Sequence, residues 1–384
     1  MTPPTFDPGF SSPAMAEVFS PGALVAAMCA VEVALAGASA AEGLFPASVA
    51  ERIATACASA PDAEAVLAGT WEDGTPMPRL LQALRQGMDP ADAEWVHHGA
   101  TTQDVVDTAL MLRTRAALRV LGDGLHPLAA TLAALADTHR DEPVEAWTFL
   151  QPAVPTTIGL RVAGWLSPIV THLGDLRRLR LPVQLGGATG TLAAFDEVGP
   201  AVVAGVAERL GLVVPPMPWH TDRTPVRRVV GLLEQIAATM AAIATDLALL
   251  AHNGRASMRS GASSSMPGKH NPIDAIRAIA TAEACAGVAS TITRGRPHEL
   301  ERGVGGWHAE WFALPMTFHT AGAAVDALRR AVDGLQLVGG PVEGGPTPAS
   351  AHFVDRVLAD LAGLADAAPD EVADEVADEV ADEV

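Results

Sequence analysis

Between Thr224 and Gly254, Val229, Leu233, Ile236, Met240, Ile243, Leu247 and Leu250 recur at alternating intervals of four and three. That alternation keeps one stripe of a helix apolar along its whole length. At 1.5 Å per residue the helix would run about 45 Å, too long for a compact single layer and suited to a bundle, within one chain or between subunits. Thr224 reads as the N-cap, Pro225 as the first helical residue and Asn253-Gly254 as the stop.

Four further stretches carry apolar residues at helical spacing. They follow Thr102 (QDVVDTALMLRTRAALRVLG), Pro155 (TTIGLRVAGWLSPIVTHLGDLRRL), Asn271 (PIDAIRAIATAEACAGVASTITRG) and Gly306 (WHAEWFALPMTFHTAGAAVDALRRAVDGL). Aromatic residues are only 4% and tyrosine is absent, so Ala, Val and Leu must fill the core, which favours helices over sheets. No period-two run competes, apart from short pieces such as Leu212-Val213-Val214. The expected fold class is all-α: an elongated central bundle of about five long helices, a smaller N-terminal helical region and a shortened C-terminal region.

Residues 1–100 form the expected N-terminal region, with shorter patterns from Ala23 to Leu35, Pro46 to Ala58 and Pro78 to Gln86. Residues 101–338 form the bundle and carry the catalytic loops. Residues 339–384 form a short C-terminal segment: a turn-rich GGPVEGGPTPAS, one short helix from Ala351 to Leu364, and an acidic DEVA repeat that reads as solvated disorder.

The formal net charge is −20, and eight of the acids lie in the last fifteen residues, so the acidity of the body is smaller but still marked. A nucleic-acid surface is excluded on that balance. No basic and apolar leader precedes Ser11-Ser12-Pro13 and no uninterrupted run of membrane-spanning length stands out, which places the chain in the cytoplasm with no membrane partner. Cys29, Cys57 and Cys285 are far apart, without a CxxC, and read as small buried hydrophobes rather than a disulfide framework or a zinc site.

Chemistry concentrates in loops before helices. ASSSMPGKHNP, residues 262–272, holds the single lysine of the chain, Lys269, and one of its two asparagines, Asn271. Asn271 reads as an N-cap and Pro272 as a first helical residue, so Lys269 sits at a helix mouth where loop amides and a full positive charge attract a carboxylate. HHGATTQD, residues 97–104, offers His98 as an acid, base or donor and Thr101, Thr102 and Gln103 as a carboxylate cradle; taken alone it reads as a cap beside a solvated histidine. The adjacent histidines point in different directions, so joint metal chelation is not expected. LGGATGT, residues 185–191, lets a backbone approach closely but is no nucleotide loop. ERGVGGWHAEW, residues 301–311, mixes charges with tryptophans that read as packing anchors.

Taken together these segments resemble the fumarase/aspartase superfamily. ASSSMPGKHNP is similar to its GSSxMPxKxNP signature and HHGATTQDVVDTALML to its HxGATSQDxxDTA segment. LPVQLGGATGTLAAF, PWHTDR and ERGVGGWHAEW resemble the 3-carboxy-cis,cis-muconate cycloisomerase branch. The resemblance spans roughly residues 10–335. It implies an all-helical homotetramer whose active sites are assembled from loops of several subunits, a small polycarboxylate substrate and no cofactor or metal. It implies Ser263 and His98 as catalytic residues, with Ser263 moving the proton beside a carboxylate. Thr101, Thr102, Gln103, Gln151, Ser264, Lys269, Asn271 and Arg302 are implied as substrate-binding, and Met266 and Gly187 as structural loop residues.

Where fumarases and adenylosuccinate lyases carry a histidine in a THxQ segment, this chain reads WTFLQ, with Phe149 at the histidine position. An amine or hydroxide leaving group needs a proton, whereas a carboxylate leaves as a stable anion. The substitution therefore points to lactonisation, with an amine-eliminating lyase as the alternative. Ala262 in place of the usual glycine, Trp147 where an arginine is common, and the short C-terminal region motivate a third reading, a helical scaffold that has lost its chemistry.

Overall fold

The computed structural model of the chain describes residues 9–59, 61–259, 261, 263–266, 268–295, 298–339, 342 and 347–366. The acidic repeat, half of the turn-rich linker and Ala262 lie outside them. In chain order the helices are α1 (Pro13–Val18), α2 (Pro21–Ala41), α3 (Ala47–Ala58), α4 (Ala63–Asp73), α5 (Met77–Arg85), α6 (Pro90–Ala93), α7 (Thr102–Thr138), α8 (Ile158–Arg178), α9 (Gly199–Leu210), α10 (Thr224–His252), α11 (Ile273–Thr293), α12 (Gly306–Val332) and α13 (Pro348–Asp366). Two antiparallel strand pairs accompany them, β1 (Pro143–Thr148) with β2 (Gln151–Thr157) and β3 (Ala256–Ser257) with β4 (Gln336–Leu337), along with a short 3-10 turn over Asp196–Val198. The chain is all-α in class.

The apolar stripe of α10 does what its spacing demands. Val229, Leu233, Ile236 and Met240 are fully buried, as are Ile243 and Leu247, and each such side chain contributes about 1.5–3 kcal/mol by leaving water. Helix α11 packs between α10 and α12, and α7 packs against α2, α8 and α12. The start of α10 differs from the sequence expectation by one residue: Arg223 is its N-cap and Thr224 its first helical residue. The Asp222 carboxylate accepts the Thr224 N–H at 3.0 Å, so the capping oxygen comes from one residue further upstream. Asn253 ends the helix and Gly254 follows at φ +67°, as expected.

Helix α7 runs 37 residues, well past the Gly122-Asp123-Gly124 at which a sequence pattern would stop it. Leu121, Leu125, Leu128 and Leu132 continue its buried stripe through Pro127, so tertiary packing overrides two glycines and a proline. The β1–β2 hairpin was not expected. Its strands pair Val144 with Thr156 and Thr148 with Gln151 around a two-residue turn. Phe149 and Leu150 occupy that turn at φ +51° and +60°, a conformation usually left to Asn and Gly. Prolines at 143, 152 and 155 also hide the strands, since proline is tolerated only where a ladder N–H is not needed.

Helices α2, α10 and α11 are long and apolar enough, by length and composition, to cross a membrane, where no such span was expected. Alanine and valine raise their mean hydropathy without forming an uninterrupted apolar run. In the fold each presents a buried face to neighbouring helices. Cys29, Cys57 and Cys285 are buried; burial raises the Cys285 thiol to about 11.

Candidate active site

The N-terminus of α7 is organised by one carboxylate. Asp104, only 1% exposed, accepts the Thr101 N–H at 2.9 Å, closing the first turn as a capping acid does. The same oxygen accepts the Gly187 N–H at 2.9 Å. Its other oxygen takes the Gly186 N–H at 3.0 Å, the Gln184 amide at 3.3 Å and His220 Nε2 at 2.7 Å. Five donors on one buried carboxylate join the HHGATTQD, LGGATGT and PWHTDR segments. Gly187 stands at φ +71°, and a Cβ there would lie 2.9 Å from the Gly99 carbonyl. A side chain is thus sterically barred at this position.

One turn further along α7, Asp107 accepts Arg223 Nη1 at 2.7 Å and Nη2 at 2.9 Å, Trp307 Nε1 at 2.9 Å and Gln103 Nε2 at 3.0 Å. Arg223 also bonds Glu310, with Nη2 to Oε2 at 2.6 Å, and lies 4.7 Å from the Trp219 ring centre. Burial opposes the charge on Arg223, but Asp107 and Glu310 outweigh it and hold the guanidinium above its ordinary value. Burial raises the Glu310 carboxyl against the pull of Arg223. Trp307 and Trp311, with ring centres 4.6 Å apart, are packing anchors at the start of α12.

Gln103 is 1% exposed and its polar atoms are committed within the chain. Its amide hydrogens go to Asp107 and to the His220 carbonyl, and its oxygen accepts Arg302 Nη1 at 2.9 Å. Arg302 Nη2 donates to the carbonyls of Gly187 at 3.0 Å and Ala188 at 2.9 Å. Arg302 therefore clamps three loops, and burial lowers its pKa despite Asp104 and Asp107. Thr101 and Thr102 are half-buried at the mouth of α7.

The two histidines diverge as expected. His97 Nδ1 meets Glu32 Oε1 of α2 at 2.6 Å, while the His98 ring lies 4.7 Å from Trp95 and 6.0 Å, edge-on, from Phe195. His97 stands at φ +66°, a left-handed conformation that costs of order 1–3 kcal/mol in a residue with a Cβ.

The Ser263 loop is built differently. Gly261 and Asn271 pinch it shut, the Gly261 N–H donating to the Asn271 carbonyl at 3.0 Å. Because Asn271 takes part in that bridge, the N-cap position of α11 falls to Pro272, not to Asn271 as the spacing predicts. Ser263 Oγ accepts the Met266 N–H at 3.1 Å and the Ser265 N–H at 3.4 Å. The Lys269 N–H returns to the Met266 carbonyl at 3.2 Å around Gly268 at φ +82°. Ser264 and Lys269 are exposed, and Met266 is 52% exposed rather than packed into a core. Among the described residues, no hydrogen bond joins Ser263, Ser264 or Lys269 to Thr101, Thr102, Gln103 or Arg302.

Gln151 is exposed beside the hairpin turn, and Phe149 is fully exposed at its tip. Among the described residues, no group of three or more His, Cys, Asp and Glu is placed to hold a metal ion. The sequence reading singled out the loops but not Asp104, Asp107, His220, Arg223 or Glu310, which tie them together. For Asp104, Asp107 and Glu310 the signal was a carboxylate inside an apolar helical pattern, where an unpaired charge would be prohibitively costly; His220 and Arg223 lie in the PWHTDR segment ahead of α10 and carried no such signal.

A sequence profile of the Lyase family matches residues 11–288. The 3-carboxy-cis,cis-muconate cycloisomerase of Pseudomonas aeruginosa is 37% identical over 345 residues, covering 86% of this chain and 75% of that one. The nitrosuccinate lyase of Streptomyces davaonensis is 35% identical over 356 residues, covering 86% and 75%. The crystal structure of the 3-carboxy-cis,cis-muconate lactonizing enzyme from Pseudomonas putida superposes with a TM-score of 0.81 at 34% identity, covering 92% of this chain and 79% of that one.

Proposed function

The chain belongs to the lyase family of the fumarase/aspartase superfamily, and on that footing we propose that it lactonises 3-carboxy-cis,cis-muconate to 4-carboxymuconolactone without a cofactor. In this isomerisation a substrate carboxylate oxygen adds to a carbon of the conjugated diene. One C–O bond forms, one C–C π bond is lost, and the electron pair moves to the carbon beside another carboxylate, where a proton is delivered.

Ser263 handles that proton. In the lactonising direction its hydroxyl donates, and in reverse its alkoxide removes the proton. The Met266 and Ser265 N–H groups aimed at its Oγ stabilise the alkoxide as oxyanion donors do. Lys269, Asn271, Ser264 and the threonines at the mouth of α7 bind the substrate carboxylates, with His98 and Gln151 beside them. Gln103 and Arg302 act in this reading through the loop geometry they hold, since their bonds are spent within the chain.

The observation that carries the choice of reaction is Phe149, apolar and fully exposed at a hairpin tip where the amine and hydroxide lyases place a histidine. A departing carboxylate needs no proton, so lactone chemistry proceeds without an acid there. Likeness to a nitrosuccinate lyase keeps elimination as the second reading.

What one chain leaves exposed supports an assembly. Phe149, Leu150 and Val154 on the hairpin and Ile273 and Ile276 on α11 are solvent-facing apolar side chains. We take these as subunit contacts in a homotetramer that brings the Ser263 loop of one chain to the His98–Gln103 loop of another, in the cytoplasm. The test is incubation of purified enzyme with 3-carboxy-cis,cis-muconate. Ultraviolet loss of the diene with recovery of the lactone supports lactonisation. Fumarate released from a substituted succinate, with the muconate untouched, replaces it with elimination.

A further inference from the structure

Helix α2 buries an almost uniformly apolar face of Val25, Met28, Val31 and Leu35, interrupted by Glu32 at 1% exposure. One carboxylate oxygen meets His97 Nδ1 at 2.6 Å, and the other is buried without a partner. Stability does not account for such a residue. Buried ion pairs are often no better than apolar side chains of the same size, and a half-satisfied carboxylate is worse.

What Glu32 holds is a strained backbone. His97 and Gly99 stand at φ +66° and +72° on either side of His98. This reversal sets the His98 ring between Trp95 and Phe195 and presses the Gly99 carbonyl against Gly187. It also delivers the chain to Thr101 at the mouth of α7. If His97 relaxed to negative φ, every one of these placements would shift.

We propose that Glu32 is a positioning residue. Through its bond to His97 it holds the left-handed turn that aims His98 and the Thr101-Thr102 mouth at the substrate. This rests on the reading of that segment as a substrate-binding loop, and it adds a residue from the N-terminal helices, remote in sequence from every loop considered so far.

The test is a double-mutant cycle with Glu32→Ala, His97→Gly and the pair, assayed on 3-carboxy-cis,cis-muconate. Glu32→Ala should raise KM about tenfold, and His97→Gly, which removes the other half of the same bond while keeping positive φ accessible, should raise it by at least as much. The double variant should match His97→Gly. Glu32→Gln, which keeps an acceptor oxygen for the imidazole N–H, should recover most of the loss.

A purely structural role would lower kcat through a smaller folded fraction at unchanged KM, and that result overturns the proposal. A further KM penalty of about tenfold from Glu32→Ala in the His97→Gly background overturns it as well. If Glu32→Ala alone does not fold, rescue of folding by His97→Gly supports the proposal and failure to rescue overturns it. A parent enzyme silent on the muconate overturns the lactonisation reading instead. The cycle is then read from Tm, where non-additivity is expected and additivity overturns the positioning role.

Discussion

Asp104 in the first turn of α7 and Ser263 in the loop ahead of α11 both stand at the mouth of a long helix, yet they are made in opposite ways. Asp104 is 1% exposed and gathers donors from two distant segments as well as from its own helix start, whereas Ser263 is half-buried and its oxygen is bonded by N–H groups two and three residues away. The first arrangement fixes backbone and leaves nothing for a ligand. The second keeps donors assembled and reachable. A site made of both has its rigidity and its chemistry in different places, so the two should fail separately.

The largest effect is expected on the rigid side. Asp104→Ala strands five buried donors, and loss of a buried charged network costs about 3–5 kcal/mol; urea unfolding should register it, together with loss of activity. Asp104→Asn should fall in between. If Asp104→Ala unfolds like the parent, the hub is not what holds the loops together.

Ser263→Ala should invert that pattern: turnover falls at least about a hundredfold, the scale of losing a proton-transfer group, while the urea midpoint stays put. Near-native turnover would remove the serine from the mechanism. Smaller again, Lys269→Met should raise KM for the tricarboxylate about tenfold with little change in Tm, and more so at low salt, because an exposed cation is screened. Unchanged kinetics at both salt concentrations would leave this lysine without a role.

Acid should act on the packed interior and spare the loop. His172 of α8 bonds Thr239 at 2.8 Å and buries Nδ1 without a partner, and burial holds it below its ordinary value, with Asp175 opposing. A lowered folded pKa means this stability is complete above about pH 6.5, where the unfolded chain titrates, and is lost as pH falls towards the folded value. His172→Gln should flatten part of the decline of Tm between pH 7 and 5, with no change at pH 8. An identical pH profile would assign the acid sensitivity to other groups.

The seam of α10 was readable because apolar period alone decides it, the Ser263 loop because Lys269 and Asn271 are rare in this chain, and the His98 loop only through its likeness to the family segment. The rest depended on partners that adjacency in sequence does not reveal. His220 is 116 residues from Asp104, and Arg302 is 199 from Gln103. The hairpin escaped notice because Phe149 and Leu150 occupy a turn that residue preferences assign to Asn and Gly. The second half of α7 escaped because Gly122, Gly124 and Pro127 argue locally for a stop that packing overrules.

The contact between Gly99 and Gly187 carries a consequence for descent. A side chain at Gly187 would collide with the Gly99 carbonyl, and one at Gly99 with the Phe195 ring. The first loop and the glycine loop therefore cannot drift independently. A lineage that acquires even an alanine at Gly187 must already have moved Gly99, and one that acquires it at Gly99 must already have moved Phe195, so exchange of either segment between distant relatives should succeed only when both travel together.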